Sequence, residues 1–307
     1  MINEKPLVLL TGVTGYVGGL LLPLLEQQAV PVRCLARDVG KVQRRADLTD
    51  VVSGDVLDRV SLDAALRGVH TAYYLIHLMS GSADFEQADR QAATNFAAAA
   101  SKAGVRRIIY LGGLGNEADP KLSPHLKSRH EVGRILRESG VETIEFRASL
   151  VIGTGSLSFD LVRSLTDRLP VMICPKWLTT PTQPIAVDDV LAYLLAAKDL
   201  PAGESRIFEI GCQDVTTYGN MIREYARQKG LRRWLISVPV LTPYLSSLWL
   251  AIVTPAAFEV GRHLIEGLKN PTVVRDQKAF EAFAIRPMGI REAIAKSIQA
   301  TGTQKSK

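Results

Sequence analysis

A glycine-rich turn close to the first residue constrains this chain more than any other feature. The apolar run Leu7–Leu10 leads directly into Thr-Gly-Val-Thr-Gly-Tyr-Val-Gly-Gly at residues 11–19, and Tyr16–Gln28 has apolar side chains at helical spacing. A strand, a turn and a helix in this order bring backbone amides to one point, where phosphate groups bind. The segment therefore predicts a site for the pyrophosphate of a dinucleotide.

Three glycines of this turn have separate roles. Gly12 lets the strand turn sharply, Gly15 leaves room for phosphate beside the backbone, and Gly18 lets the helix pack close to the strand. Free amides at the helix start and the positive end of the helix dipole then hold the phosphates. The residues of the turn predicted to contact the cofactor are Gly12, Thr14, Gly15, Tyr16, Val17 and Gly18.

The first half of the chain alternates short β-branched runs with helical patterns, which is typical of a parallel sheet. The predicted elements after the first strand and helix are strands at Val32–Leu35, Asp50–Val52, Thr71–Ile76, Arg107–Leu111 and Glu142–Phe146, and helices over Asp84–Ala103 and from Ser123 to Ser139. The predicted fold class is α/β, a Rossmann-like doubly wound parallel sheet with a smaller C-terminal substrate lobe.

The residue after the second strand of such a domain meets the adenosine ribose. An acidic residue there would repel a 2′-phosphate, whereas this chain has Arg37, with Lys41 one helical turn further on. A guanidinium grips a phosphate with two hydrogen bonds, so NADP(H) is the predicted cofactor and NAD(H) the less favoured one. The alternative is that Arg37 is solvated and indifferent to the cofactor.

After Phe146 four prolines interrupt the pattern, at positions 170, 175, 181 and 184. An NAD(P)-binding domain is therefore predicted over residues 1–146, completed by about 182–211, where a helix at Val187–Ala197 and a strand at Arg206–Ile210 return to it. The small substrate lobe is predicted from residues 147–181 and 212–300, and a disordered tail from 301–307.

The turn and several later blocks carry a family resemblance. Thr-Gly-x-Thr-Gly-Tyr-Val-Gly resembles the fingerprint of the short-chain dehydrogenase/reductase superfamily, in its atypical branch of NmrA-like and epimerase-like NAD(P)-binding proteins. The other similar blocks are Leu75–Gly81, His125–Arg129, Phe146–Gly153 and Thr182–Val190, so the resemblance extends over nearly the whole chain. It implies cofactor contacts from Ile76 and His77 after the fourth strand, and from Asp55 and Val56 around the adenine.

Typical reductases of this superfamily use a Tyr-x-x-x-Lys pair and a serine or threonine just after the fifth strand. This chain has Leu111-Gly112-Gly113 where the serine is expected, and His125-Leu126-Lys127-Ser128-Arg129 in place of the pair. His125 and Arg129 are four residues apart and share one helical face. The catalytic machinery of the family therefore does not carry over by position.

Two interpretations of this pair stay open. In the first, Arg129 takes the place of the lysine on the ribose, and His125 donates a hydrogen bond to the substrate from the first helical turn, where the dipole disfavours imidazolium. In the second, His125 is a solvent-facing residue and Arg129 binds the cofactor only. His77 and Ser80 are the other catalytic candidates, because they follow the fourth strand at the ligand edge of the sheet; His77 is alternatively an ordinary loop residue.

Composition narrows the class of partner. The net charge is +6 and the pI about 9.2, but the basic residues are scattered without a stripe of interleaved aromatics, so nucleic acid is not expected. The three cysteines have no metal-ligand spacing, which predicts reduced structural thiols and no metal site. No signal peptide is recognised at the start, and the expected location is cytoplasmic.

An uncharged apolar segment, residues 234–258, has basic residues on both sides. Its prolines at 239, 243 and 255 argue against a transmembrane helix. The favoured interpretation is that it lines an apolar substrate pocket in the small lobe, and the alternative is a peripheral membrane contact, at the inner face of the membrane.

The sequence therefore favours an NAD(P)H-dependent oxidoreductase that reduces an apolar carbonyl, quinone or enone. Because the Tyr, Lys and Ser of typical reductases are missing, the rival interpretation is a non-catalytic NADP(H)-binding redox sensor or a structural or regulatory subunit. A nucleotide-sugar epimerase is disfavoured, since that chemistry needs the same tyrosine.

Overall fold

The computed structural model describes residues 5–43, 46–78, 85–174, 176–237 and 267–305. Ser80 and residues 238–258 of the apolar segment lie outside the described residues. The strands are β1 (Val8–Thr11), β2 (Val32–Ala36), β3 (Thr49–Ser53), β4 (Thr71–Tyr74), β5 (Arg107–Gly113), β6 (Glu142–Ala148), β7 (Val151–Ile152), β8 (Val171–Cys174), β9 (Pro181–Thr182), β10 (Ile185–Ala186), β11 (Arg206–Ile210), β12 (Thr216–Thr217) and β13 (Trp234–Ser237). The α-helices are α1 (Tyr16–Gln27), α2 (Arg59–Ala65), α3 (Phe85–Lys102), α4 (Pro124–Arg137), α5 (Leu157–Arg168), α6 (Val187–Ala197), α7 (Tyr218–Gln228), α8 (Lys278–Phe283) and α9 (Ile290–Lys305).

A seven-stranded sheet has the strand order β11-β6-β5-β4-β1-β2-β3. From β1 the chain adds β2 and β3 on one side, all parallel, and then returns to the other side of β1 with β4. Such an order confirms the Rossmann-like doubly wound fold. It places a topological switch point between β1 and β4, the position where open α/β sheets bind ligands at their carboxyl edge.

The chain divides into two compact units, and the first comprises residues 1–112, 128–147 and 191–208. Its core is formed by sheet side chains and the small-residue face of α3, where Ala92, Ala93, Ala99 and Ala100 are buried. Alanine leaves little side-chain volume between helix and sheet, so the two pack closely.

A buried ion pair joins two strands of the first unit and the segment that returns to it. The Arg107 Nη2 atom donates to Glu142 Oε2 over 2.7 Å, and its Nη1 atom donates to the carbonyl oxygens of Ala197 and Leu200. A buried guanidinium is stable only when its donors are paired. This network therefore secures 191–208, which falls inside the returning segment of about 182–211.

The second unit comprises residues 113–127, 148–190 and 209–307, so it includes 113–127, which the sequence assigned to the cofactor domain. Its core lies among α5, α7 and α9 and contains the buried residues Phe159, Met221 and Ile294. Four hydroxyl groups, those of Ser149, Thr182, Thr272 and Tyr218, satisfy one another inside this unit.

The helix α9 extends to Lys305 and so enters the tail, residues 301–307, that the sequence predicts to be disordered. Thr301 Oγ1 donates to the Ser297 carbonyl over 2.9 Å, and Arg163 Nη1 donates to Thr301 Oγ1 over 3.4 Å. These side-chain contacts extend a helix whose sequence shows no apolar periodicity at this end. Residues 306–307 lie outside the described residues.

None of the helices in the described part of the chain has the length and apolar character needed to cross a bilayer. The three cysteines are buried free thiols. Burial raises the pKa of Cys34 to about 12 and that of Cys212 to about 11. Such thiols are poor nucleophiles, so their contribution is to packing.

Candidate cofactor and active site

The glycine-rich turn has the geometry that its sequence predicts. Gly12 has a φ of +70°, and a Cβ built there would lie 2.4 Å from the carbonyl oxygen of Leu75. A Cβ on Gly18 would lie 2.3 Å from the Gly12 carbonyl oxygen. Neither position accepts a side chain, because contacts this short do not occur. The turn therefore passes close to the end of β4 and brings the start of α1 against β1.

The N-cap residue of α1 makes no side-chain hydrogen bond to the first amides of the helix. Gly15 is the N-cap, with φ −84° and ψ 173°, and Thr14 and Gly15 are exposed. The first amides of a helix have no intrahelical partner, and the helix dipole adds a partial positive charge there. This arrangement fits the pyrophosphate of a dinucleotide.

Thr11, which the sequence analysis missed, ties the two strands of the switch point together. Its Oγ1 atom donates to the Tyr73 carbonyl over 2.8 Å and accepts from the Leu75 amide over 3.2 Å. The side chain is fully buried. Thr11 therefore fixes the distance between β1 and β4 at the edge where the turn begins.

Arg37 lies directly after β2 with its side chain exposed, as the prediction of a ribose-phosphate contact requires. The next residue, Asp38, is acidic, but its carboxylate accepts from the Gly40 amide over 3.1 Å and lies 3.4 Å from Lys41 Nζ. Asp38 thus caps a short 3-10 helix at Val39–Lys41. The negative charge of Asp38 is therefore partly compensated. The Lys41 side chain points towards Asp38.

The segment after β3 is held by its own side chains. Asp55 Oδ1 accepts from the Leu57 amide over 3.0 Å, and the Asp55 amide donates to Ser61 Oγ over 3.1 Å. Val56 is buried in the core of the first unit. An adenine contact in this segment would therefore involve the backbone and the half-buried Asp55, and not the buried side chain of Val56.

Arg129 is buried, and its guanidinium is bound to the ends of two neighbouring strands. Its Nη2 atom donates to the Leu111 carbonyl over 2.7 Å, and its Nη1 atom donates to the Ile76 carbonyl over 3.2 Å and to His77 Nδ1 over 2.9 Å. The guanidinium also stacks on the Tyr110 ring at 5.0 Å. These contacts favour a positioning role for Arg129 over the ribose contact that the sequence predicts.

Asp89 on α3 organises the same site from the other side. Its Oδ1 atom accepts from the Leu78 amide over 3.0 Å, and its Oδ2 atom accepts from Ser128 Oγ over 3.1 Å and lies 3.3 Å from His77 Nδ1. Burial by itself raises the pKa of Asp89, but the positive charge of Arg129 and the hydrogen bond from the Leu78 amide help to lower the pKa below its ordinary value. Asp89 is therefore an ionised carboxylate in a nearly dry site.

The position of Arg129 determines the protonation state of His77. A guanidinium has only donors, so the 2.9 Å contact requires His77 Nδ1 to accept, and the proton of a neutral imidazole then resides on Nε2. Burial first, and then the Arg129 charge, lower the pKa of His77 to about 4, although Asp89 opposes this. His77 is thus a neutral hydrogen-bond donor, since an imidazolium would face the guanidinium.

The other residues predicted for the site divide between the two units. Ile76 and His77 come together with Arg129 in the first unit. His125 falls in the second unit, half-buried in the first turn of α4. The predicted helix start there is confirmed, since Ser123 Oγ accepts from the Leu126 amide over 3.3 Å. Gly112 replaces the family serine, and a Cβ on it would lie 3.0 Å from the Tyr110 ring.

Asp89 and Ser128 were also missed, although the sequence held a signal for the first. Asp89 shares a helical face with Phe85, Ala92 and Phe96, all buried. A carboxylate on an apolar helix face is rarely buried without a specific partner. That pattern marks Asp89 as unusual, but it does not identify His77 or Ser128 as the partners.

Known proteins share the domain and the fold. Residues 12–149 match the family described as NAD(P)H-binding. A curated relative from Streptomyces griseus subsp. griseus, (4-alkanoyl-5-oxo-2,5-dihydrofuran-3-yl)methyl phosphate reductase, is 28% identical over 231 residues, which cover 73% of this chain and 74% of the relative.

Two solved structures share the fold over nearly the full chain. Triphenylmethane reductase from Citrobacter sp., complexed with NADP(H), has a TM-score of 0.74 at 17% identity and covers 95% of this chain and 99% of that one. The NADPH-dependent quinone oxidoreductase of Escherichia coli, complexed with NADPH, has a TM-score of 0.71 at 18% identity, covering 94% and 99%. The resemblance to NmrA-like and epimerase-like NAD(P)-binding proteins is confirmed for the domain and the fold, and residues 12–149 form an NAD(P)H-binding domain.

Proposed function

We propose that this protein is an NADPH-dependent reductase that acts on an apolar carbonyl compound, quinone or enone. The observation that carries the proposal is the contact between His77 and Arg129, which makes a neutral Nε2–H donor of a histidine at the end of β4. Three of the similar proteins, those from Streptomyces griseus, Citrobacter sp. and Escherichia coli, are named as reductases or oxidoreductases, which supports the reaction class. The substrate class rests on the apolar sequence of residues 234–258, within which Trp234 and Ile236 are exposed and are not assigned to the pocket.

The chain's own residues supply three functions in this proposal. Amides at the start of α1 bind the pyrophosphate, Arg37 binds the 2′-phosphate, and the carbonyl ends of β4 and β5 are spaced by Arg129. When bound, NADPH supplies a hydride to the substrate carbon. As negative charge develops on the substrate oxygen, His77 stabilises it by donating from Nε2, and a proton from water completes the product.

The choice of NADPH over NADH rests on the charges after β2. Arg37 is exposed, and the acid beside it, Asp38, is occupied by the Gly40 amide and Lys41. A free carboxylate at this point would repel the 2′-phosphate, and a compensated one repels it less. His125, in the first turn of α4, remains a proposed hydrogen-bond donor to substrate, and the substrate lobe remains a proposal from the sequence. A cytoplasmic location and the lack of a nucleic-acid partner remain expectations from the sequence.

The proposed function is tested by following NADPH absorbance with a panel of quinones, enals and ketones, using the chain as purified and His77→Gln. We expect turnover that His77→Gln reduces by about 100-fold or more, the usual effect of removing one such donor, with NADPH affinity within about three-fold. His70→Gln is the matched control, because His70 is an exposed histidine just before β4. His125→Gln is measured in parallel. Equal rates in His77→Gln and the unaltered protein would contradict the role of His77.

The second candidate function is a non-catalytic NADP(H)-binding sensor or structural subunit. It is favoured by Gly112 at the serine position and by His125 and Arg129 at the positions of the tyrosine and lysine. The same panel decides between the two: tight NADPH binding without turnover of any compound supports the sensor and contradicts the reductase.

A further inference from the structure

We propose that the second unit binds the surface of an anionic phospholipid membrane through one face of the strand pair β8 and β13 and the basic residues beside it. This inference is independent of the proposed reductase function. It uses only described residues, and it places the contact on β8 and β13 and not on residues 238–258.

The strand pair presents an apolar face to solvent. β8 and β13 run parallel, with Trp234 beside Val171 and Ile236 beside Ile173. Successive side chains of a strand point to opposite faces, so these four lie on the same side. Their exposed fractions are 70% for Trp234, 51% for Val171, 51% for Ile236 and 41% for Ile173.

The opposite face of the pair is already used by the core. Met172 and Cys174 are buried, and Leu235 packs against the core of the second unit. The packing of the inner face fixes the register of the two strands. The outer face is therefore exposed on a well-packed pair of strands. Four neighbouring large apolar side chains on one surface exceed the scattered exposure that is ordinary in soluble proteins.

A basic cleft lies next to this face. A cavity of about 400 Å³ at the end of α5 is lined by Arg163, Arg168 and Lys229, with Asp167 as the carboxylate among the described lining residues. Arg233 donates from Nε to the Thr166 carbonyl and from Nη2 to the Asp167 carbonyl over 3.1 Å. The neighbouring Trp234 amide donates to the Pro170 carbonyl over 2.9 Å. These bonds join the cleft to the beginning of both strands.

The combination of the two features selects the partner. The boundary between acyl chains and anionic headgroups suits an indole and aliphatic side chains beside arginine and lysine. There the apolar side chains enter the interface and the cations bind the headgroup phosphates. The cleft is large enough for a headgroup, and the net charge of +6 adds long-range attraction. A nucleic acid would use the cations but not the four apolar side chains.

Co-sedimentation with vesicles tests the proposal. Vesicles of phosphatidylcholine alone and with about one third phosphatidylglycerol are mixed with the full chain at low and at physiological salt. We expect binding to the anionic vesicles only, weakened by salt. Trp234→Ser should weaken binding to the anionic vesicles by at least about ten-fold. The double variant Arg168→Glu with Lys229→Glu should weaken it by more than about twenty-fold, because each cation contributes roughly five-fold or more.

Matched controls separate this face from general charge and hydrophobicity. Val60→Ser removes an exposed apolar side chain of the first unit, and Arg106→Glu with Lys121→Glu makes the same change in net charge elsewhere. Both should bind vesicles within about two-fold of the unaltered protein. Circular dichroism and thermal unfolding, measured on every variant, verify that each is folded.

Three outcomes would overturn the proposal. The first is no binding to anionic vesicles at low salt, and the second is equal loss in the control and test variants. The third is a lipid-free dimer, seen by sedimentation velocity, that Trp234→Ser dissociates, because the face would then be an interface between two copies of this chain.

Discussion

The guanidinium of Arg129 donates to Nδ1 of His77 across 2.9 Å, while the same guanidinium binds the carbonyl oxygens of Ile76 and Leu111. One side chain thus sets the tautomer of a histidine and the spacing of two strand ends. Asp89 approaches the same Nδ1 atom from α3 at 3.3 Å, so the imidazole lies between a cation and an anion. Burial and the cation together outweigh the anion, and the ring stays neutral.

The first prediction concerns the pKa of His77, which should be about 4 when measured by NMR of the imidazole Cε1–Hε1 group. Arg129→Gln should raise it towards the ordinary value, because the guanidinium charge is lost while Asp89 remains. Arg129→Lys should keep it low, since the charge is retained. An unchanged pKa in Arg129→Gln, in a variant shown to be folded by circular dichroism, would remove Arg129 as the cause.

The second prediction is that the free energy of unfolding decreases at acidic pH because of His77. Its pKa is lower in the folded state than the ordinary 6.5, so the unfolded state binds the proton more readily. The contribution is fully present above about pH 6.5 and is lost as the pH falls towards 4, by about 3 kcal/mol at most. Urea unfolding at several pH values should show this slope, and His77→Gln should flatten it. A slope that persists in His77→Gln but disappears in His70→Gln would contradict the assignment.

The third prediction concerns the contact between Gly18 and Gly12. Gly18→Ala should destabilise the fold by about 1–3 kcal/mol and abolish measurable NADPH binding, because its Cβ would lie 2.3 Å from the Gly12 carbonyl oxygen and would push α1 away from β1. Gly203→Ala is the control, since an added Cβ there lies 3.9 Å from its nearest neighbour. Thermal unfolding and calorimetric titration measure the two effects. Full NADPH affinity in Gly18→Ala would show that α1 is not the phosphate site.

The fourth prediction concerns cofactor choice. Arg37→Asp should weaken NADPH binding by about 100-fold, corresponding to a lost charge-assisted pair of hydrogen bonds and a new repulsion, and NADH binding by less than about three-fold. Both affinities are measured by fluorescence titration. Arg106→Asp, which makes the same charge change at another exposed arginine, should leave both affinities nearly unchanged. Equal losses for the two cofactors in Arg37→Asp would place the 2′-phosphate elsewhere.

The positions proposed to contact the cofactor could be identified from the sequence because their signals are local. Gly12 and Gly18 are required by backbone contacts between residues only a few positions apart, and Arg37 follows directly from the end of β2. The contacts around His77 could not be predicted in the same way. His77, Asp89 and Arg129 come from three separate elements, and no spacing along the chain brings them together.

Local sequence therefore determined the glycine turn, the order of strands and helices and the glycine-rich start of α1, since these depend on short-range sterics and periodic burial. The tertiary structure alone decided that Arg129 binds the carbonyl ends of β4 and β5, that Asp89 is buried as an anion, and that Trp234 and Ile236 face outward. Each depends on which polar or apolar partners the packed elements bring within contact distance, and a buried charge takes whichever partners the fold places there.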